Sequence, residues 1–313
     1  MITNYYIAKT QPAQMPDSIN SNYPHTPLGR RSIIPNIFTL LNLFFGCMAI
    51  VFALQTDSVI IYMNDQFNTS FNIPEKLSWA AICIIIAAII DFVDGFVARL
   101  LKSTSEMGKQ LDSLSDLVSF GVAPAMILYQ LLKFSYAREV NGLDVSIIWL
   151  VPAFVLACAA AYRLAKFNLD TDQQYSFKGV PVPAVGLLIA SFPLILHFSQ
   201  IGAITSWIID KFSIGHAEIE YFYSSVNGLI VNKWFLYPLI IVLSYLMVSN
   251  HRMMSLKFRD FTFKSNLSKI ILLAVAIIAA LLLQWIAVPV VFIVYILLSL
   301  TGPKTIGSKK KAE

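Results

Sequence analysis

The chain has 313 residues, of which 57% are hydrophobic and only 13% charged, where an ordinary soluble domain is about a quarter charged. Its apolar residues come in runs of about 18 to 25, long enough to cross a hydrocarbon core of about 30 Å, which excludes a water-soluble globule. The net charge of +5 comes from basic residues scattered in short loops with no continuous basic face, so no nucleic-acid partner is expected.

Residues 1–32 are polar and proline-dotted and lack the zones of a cleavable signal, so a flexible cytoplasmic arm is expected there. Apolar runs follow at about 34–54, 77–100, 109–133, 147–166, 182–201, 233–250, 268–285 and 287–302. They predict an all-α polytopic membrane protein of about eight transmembrane helices. Only the stretch from Gln284 to Pro289 parts the last two runs, so a tight hairpin and a single broken span, giving seven, both fit. With the N-terminus in the cytoplasm, 18 of the 23 Lys and Arg fall on the inner side, which favours eight spans and two cytoplasmic termini. The outer loops, 55–76, 134–146 and 202–232, carry scattered acids and are expected to hold no catalysis. Cys47, Cys83 and Cys158 lie in apolar stretches without metal-ligand spacing and read as core residues.

Helix two carries two residues that an apolar segment should lack. At about 1.5 Å per residue Asp91 lies roughly 20 Å along it, with Asp94 one turn further. Each intramembrane aspartate carries an insertion penalty of about 2.5 to 3.5 kcal/mol, so a compensating partner is required. Asp91 and Asp94 are spaced i, i+3 and Asp112 and Asp116 i, i+4, so each pair shares a helix face. The short connector from Leu100 to Met107 makes the two helices antiparallel neighbours, and four carboxylates then face one cleft. Divalent cations with hard oxygen ligands would let all four stay ionised, so a one- or two-metal site is expected. Taken alone, Asp112 also fits a helix cap or salt bridge. Gly95 and Ala98 lie on or beside the acidic face, where missing bulk admits a ligand or a packed helix. Arg99, one turn beyond Gly95, suits phosphate oxygens, and equally a cytoplasmic anchor.

The stretch Asp91-Phe-Val-Asp94-Gly95-Phe-Val-Ala98-Arg99, followed after eight residues by Gly108-Lys-Gln-Leu-Asp112-Ser-Leu-Ser-Asp116, closely resembles the signature of CDP-alcohol phosphatidyltransferases, with all eight specified positions filled. The resemblance implies a membrane-embedded, metal-dependent enzyme with a six-helix core, commonly a homodimer, using Mg2+ or Mn2+. On that basis the chain divides into a cytoplasmic arm (1–32), a catalytic core (33–250), an added hairpin (251–303) whose role the motif does not predict, and a basic tail (304–313). It also implies that Asp91, Asp94, Asp112 and Asp116 hold metal, that Asp116 is the base, and that Gly95, Ala98, Arg99 and Gly108 shape the donor site.

Outside the signature the chain looks most like the serine-accepting branch of that family. The likeness rests on Ile34-Pro35-Asn36 with Thr39, Asn42 and Gly46, on Tyr162-Arg163-Leu164-Ala165-Lys166-Phe167-Asn168, and on Gly179-Val180-Pro181-Val182-Pro183-Ala184. A related archaetidylserine synthase would carry similar segments. Arg163, Lys166 and Asn168 supply cations and an amide suited to the carboxylate of an amino-acid acceptor, although Arg163 and Lys166 also fit plain topology anchors. The implied reaction moves a phosphatidyl group from CDP-diacylglycerol to L-serine at the cytoplasmic side of the cell membrane. None of His25, His197, His216 or His251 is followed two residues later by lysine, which excludes paired His-x-Lys chemistry. Two other readings stand beside this one. A same-family enzyme could take glycerol phosphate, inositol phosphate or an amino alcohol, and a divalent-cation transporter would use the aspartates but leave Gly95, Ala98 and Arg99 unexplained.

Overall fold

The computed structural model describes residues 30–55, 61–63, 69–71, 75–100, 106–139, 144–169, 177–198, 216–254 and 263–301. The arm up to residue 29, the connector 101–105 and the tail from 302 lie outside the described residues. Ten α-helices follow in order: α1 Arg30–Leu54, α2 Glu75–Leu100, α3 Glu106–Asp116, α4 Ala123–Ala137, α5 Val155–Leu169, α6 Val182–His197, α7 His216–Ile230, α8 Lys233–Val248, α9 Phe263–Leu283 and α10 Ala287–Thr301. A π-helical stretch, Leu117–Val122, joins α3 to α4, and two 3-10 turns, Ile147–Trp149 and Val151–Phe154, lead into α5. Two short antiparallel pairs complete the set, β1 Ile61–Met63 with β2 Thr69–Phe71 and β3 Phe177–Lys178 with β4 Arg252–Met253.

Each apolar run of the sequence is helical. Among the described residues, five segments are long and apolar enough to cross a membrane: 35–54, 75–100, 106–137, 147–169 and 267–300. A sixth forms if α7 and α8, bent by 66° at a short break, count as one span, and α6 is a shorter apolar helix. The 34-residue stretch 267–300 is folded back on itself, because α9 packs against α10 across a turn at Gln284, whose φ is 50°. α7 occupies part of what reads as an outer loop at 202–232. Its sequence mixes Asn, Ser and Glu with aromatics and so has no long apolar run, yet Tyr223 and Ile230 are buried along one side while Tyr221 and Leu229 stay exposed.

Lipid tails are as apolar as leucine, so helices in a membrane associate through close packing and hydrogen bonds rather than apolar burial. α1 shows both devices. Ser115 Oγ donates to Thr39 O (3.0 Å), Ser119 Oγ to Asn42 O (3.0 Å) and Gln130 Nε2 to Ala53 O (2.8 Å), stitching the length of α1 to the α3–π–α4 rod. Gly46 permits the approach, since a Cβ there would overlap Ser119 Oγ and sit 2.8 Å from Ser119 Cα. Gly46→Val is therefore expected to destabilise the protein by about 1–3 kcal/mol, as overpacking does. An unfolding temperature in detergent equal to that of the parent would contradict this contact. Across the rod, Phe120 of the π stretch is 1% exposed and packs on Gly186 of α6.

At the end of the bundle where α5 and α8 finish, the chain is sewn by its backbone. Gly179 N–H donates to His251 O (2.9 Å) and Val180 N–H to Leu246 O (3.1 Å), beside the β3–β4 pair. Gly179 has φ +74° and a Cβ there would overlap Met247 O, so this junction requires glycine. The returning α10 joins the same seam, with Met254 N–H donating to Ser299 Oγ (3.2 Å) and Tyr295 Oη to Met254 O (3.3 Å). At the opposite end Trp285 of the turn stacks near Phe198, ring centroids 6.4 Å apart.

Candidate active site

α2 reaches the site as an apolar helix with one polar face. Phe92 and Phe96 are mostly exposed and face outward, while Asp94 is only 6% exposed. Asp91 lies about 24 Å along the helix from Glu75, nearly two thirds of its length. α3 approaches with Asp112 and Asp116 one turn apart. Carboxylate oxygens of Asp91, Asp112 and Asp116 all lie within 4.8 Å of one another. A cation equidistant from three oxygens so spaced sits at most about 2.8 Å from each, so a small inward movement of the carboxylates brings it into the roughly 2.0–2.6 Å range of magnesium- and calcium-type coordination.

Asp94 stands apart from that trio, though within electrostatic reach of Asp112. Its Oδ2 faces Thr39 Oγ1 at 3.1 Å. The same hydroxyl is 3.1 Å from Pro35 O, and its single proton serves one acceptor at a time. Asn42, fully buried on α1, donates from Nδ2 to Asp116 Oδ1 (3.3 Å). Thr39 and Asn42 thus support one carboxylate of each pair from a third helix. Both enter the sequence likeness as motif residues with no assigned task, and only the packing of α1 on α2 and α3 gives them one. The π stretch begins directly after Asp116; such wide turns recur at functional sites because they re-aim the adjoining side chains.

The residues expected on the donor side lie in the last turns of α2 and the first turn of α3. A Cβ at Gly95 would meet nothing within 4 Å, so the surface beside the carboxylates is open there. Ala98 is half-buried, and Gly108 lies in the first turn of α3. Arg99 donates from Nε to Gly95 O (2.8 Å), which aims the rest of an exposed guanidinium along the open face.

The three acceptor candidates on α5 behave differently from one another. Arg163 is 9% exposed, its Nε has no hydrogen-bond partner among the described residues, and its guanidinium is within electrostatic reach of the Asp116 carboxylate and the Tyr295 hydroxyl. Lys166 instead donates to Asn250 Oδ1 (2.6 Å) beyond the end of α8. Asn168 donates from Nδ2 to Ser113 Oγ (2.8 Å), and its backbone carbonyl accepts from Lys109 Nζ (3.3 Å). These bonds tie α5 to α3 and to the residue beyond α8, while Arg163 lies within electrostatic reach of the Asp116 carboxylate. Asn250 and Ser113 carry no signal of these roles in the sequence.

Among the described residues the four carboxylates face one buried arginine and a few neutral donors, a balance that demands further positive charge. The hard oxygen donors, their spacing and the open face at Gly95 together fit a divalent cation bound beside a phosphorylated ligand.

Comparison with known proteins agrees with this geometry. A CDP-diacylglycerol–serine O-phosphatidyltransferase of Helicobacter pylori (strain J99) is 33% identical over 165 residues, covering 52% of this chain and 58% of that protein. The enzyme of the same name from Bacillus subtilis is 32% identical over 148 residues, 44% of this chain and 75% of that one. An archaetidylserine synthase of Methanothermobacter thermautotrophicus is 30% identical over 172 residues, 54% and 61%. The chain thus spans less than two thirds of the Helicobacter and Methanothermobacter proteins. The sequence profile of the CDP-alcohol phosphatidyltransferases runs over residues 32–212, from α1 through the acidic hairpin and beyond α6. Since that match takes in more than half of the chain and every carboxylate of the cleft, the protein belongs to the CDP-alcohol phosphatidyltransferase family.

Proposed function

We propose that this protein transfers the phosphatidyl group of CDP-diacylglycerol to the hydroxyl of L-serine, releasing CMP and leaving phosphatidylserine in the bilayer. The observation that carries the reading is the trio Asp91, Asp112 and Asp116 with a buried Arg163 whose Nε has no hydrogen-bond partner among the described residues. The names of the relatives support serine as acceptor. Asp91, Asp112 and Asp116, with Asp94 adjoining, would hold Mg2+ or Mn2+. Such a cation supplies positive charge against the pyrophosphate and the leaving CMP. Gly95, Ala98, Arg99 and Gly108 form the donor side, where the backbone can be approached closely and a guanidinium meets phosphate oxygens. Asn42 fixes one oxygen of Asp116 and leaves the other to take the serine proton. The serine oxygen bonds to the lipid-side phosphorus as the bond from that phosphorus to the bridging oxygen breaks, and the bridging oxygen departs with CMP. No covalent enzyme intermediate is needed.

Arg163 reads the serine carboxylate. A charge-assisted hydrogen bond is worth about 1.5 to 3 kcal/mol, so Arg163→Ala is expected to raise the serine KM roughly ten- to a hundredfold with the donor KM little changed. A raised donor KM with serine unaffected would move Arg163 to the phosphate side. The wider test is an acceptor panel, with CMP release measured on CDP-diacylglycerol and divalent metal with serine, glycerol phosphate, inositol phosphate and ethanolamine in turn. Stimulation by serine alone is expected, and preference for another acceptor would replace the substrate while keeping the class. The predominance of lysine and arginine on one side supports a cytoplasmic-membrane protein with both termini and the site inside. A homodimer with a core at 33–250, extended by the hairpin at 251–303, is the assembly consistent with the family.

A further inference from the structure

Thr39 of α1 is bonded at both ends, and each end reaches a different arm of the acidic hairpin. Its hydroxyl lies 3.1 Å from Asp94 Oδ2 on α2. Its backbone carbonyl accepts from Ser115 Oγ on α3 at 3.0 Å, one residue before Asp116. Thr39, Asp94 and Ser115 are all buried, so water does not compete for either bond. The hydroxyl is also 3.1 Å from Pro35 O, but that carbonyl is the regular acceptor of the Thr39 N–H within α1. An ionised carboxylate accepts the stronger, charge-assisted bond, which favours Asp94 as the hydroxyl's partner. A carboxylate anchored through one oxygen is fixed in orientation, and groups that orient metal-holding side chains set metal affinity nearly as the ligands do.

We propose that Thr39 is a positioning residue of the metal site: its hydroxyl anchors Asp94 beside the trio while its carbonyl anchors α3, so that α1 sets the spacing between the two acidic arms. This rests on the reading of the carboxylates as a divalent-cation site. Thr39 supplies no ligand atom in this arrangement, and its effect passes through Asp94.

The test uses the full chain in lipid nanodiscs with Thr39→Val, Thr39→Ala and Thr39→Ser, and reads Mn2+ affinity by electron paramagnetic resonance. Val replaces the hydroxyl by a methyl group and keeps the carbonyl that Ser115 needs, Ala removes both branches, and Ser keeps the hydroxyl. Loss of a group that orients a ligand weakens metal binding about ten- to a hundredfold, so Val and Ala are each expected to weaken Mn2+ binding at least roughly tenfold. The metal concentration for half-maximal CMP release is expected to rise in step. Ser is expected to restore both to within about threefold of the parent, less than the loss of one modest hydrogen bond. Parent-like Mn2+ affinity in Val and Ala would overturn the proposal. So would a Ser variant as weak as Val, which would make the methyl group and not the hydroxyl the part that matters. If neither Val nor Ala folds, the hydroxyl holds the bundle rather than the site, and the proposal falls. A parent that binds no Mn2+ would overturn the metal reading and the proposal with it, whereas binding by the parent with unaltered variants overturns the proposal alone.

Discussion

Asp112→Asn is expected to lower turnover on the order of a thousandfold while making the metal-free protein more resistant to heat. The two effects have one cause. Oxygens of Asp91, Asp112 and Asp116 lie within 4.8 Å of each other in a partly buried cleft, so without a cation they repel, and replacing one by a neutral amide relieves that repulsion. With a dication bound, the same replacement removes an anionic ligand, and a metal contribution of several kcal/mol to the transition state corresponds to about three orders of magnitude in rate. Asp91→Asn should follow it. CMP release, Mn2+ binding by electron paramagnetic resonance, and unfolding temperature in chelator measure the three consequences. A variant with full activity, or one less stable than the parent in chelator, would contradict a metal-holding role for the trio.

Asp116→Asn is expected to separate binding from chemistry. Its carboxylate is held by Asn42 Nδ2 at 3.3 Å and lies in the electrostatic field of Arg163, so within the acidic trio it is the member that Arg163 bears on. An asparagine there keeps the shape and can still meet Asn42, but has no basic oxygen for the serine proton. General-base assistance is worth about a hundred- to ten-thousandfold. kcat should fall by that factor, with CDP-diacylglycerol affinity close to the parent's by equilibrium binding. A parallel loss of donor affinity would make Asp116 chiefly a metal ligand. Exchange of labelled CMP into CDP-diacylglycerol without serine should be absent in the parent, because direct displacement leaves no phosphatidyl-enzyme to reverse.

The polar residues of α2 and α3 were legible because charge is costly in an apolar segment, so Asp91, Asp94, Asp112 and Asp116 stand out from their neighbours. Arg163 was legible for the same reason. Lys166 and Asn168 carried an equal signal, but their bonds to Asn250 and Ser113 were not legible, because tertiary packing decides the partner of a polar side chain near a helix end. Thr39 and Asn42 are small and uncharged, and such residues in membrane helices fit packing as readily as chemistry. The π stretch at Leu117–Val122 has no sequence mark, since it follows from how α3–α4 packs on α1 and α6. α7 escaped because polar residues interrupt its apolar ones, leaving no run long enough to read as a span.

The most direct measurement uses purified protein in nanodiscs with CDP-diacylglycerol, labelled serine and Mg2+ or Mn2+, following CMP and label in the lipid phase together. The expected result is equimolar CMP and serine-labelled lipid, both abolished by chelator and restored by metal. CMP formed without labelled lipid would make the protein a hydrolase or a transferase for another acceptor, and no CMP with any acceptor offered would contradict the enzyme reading itself.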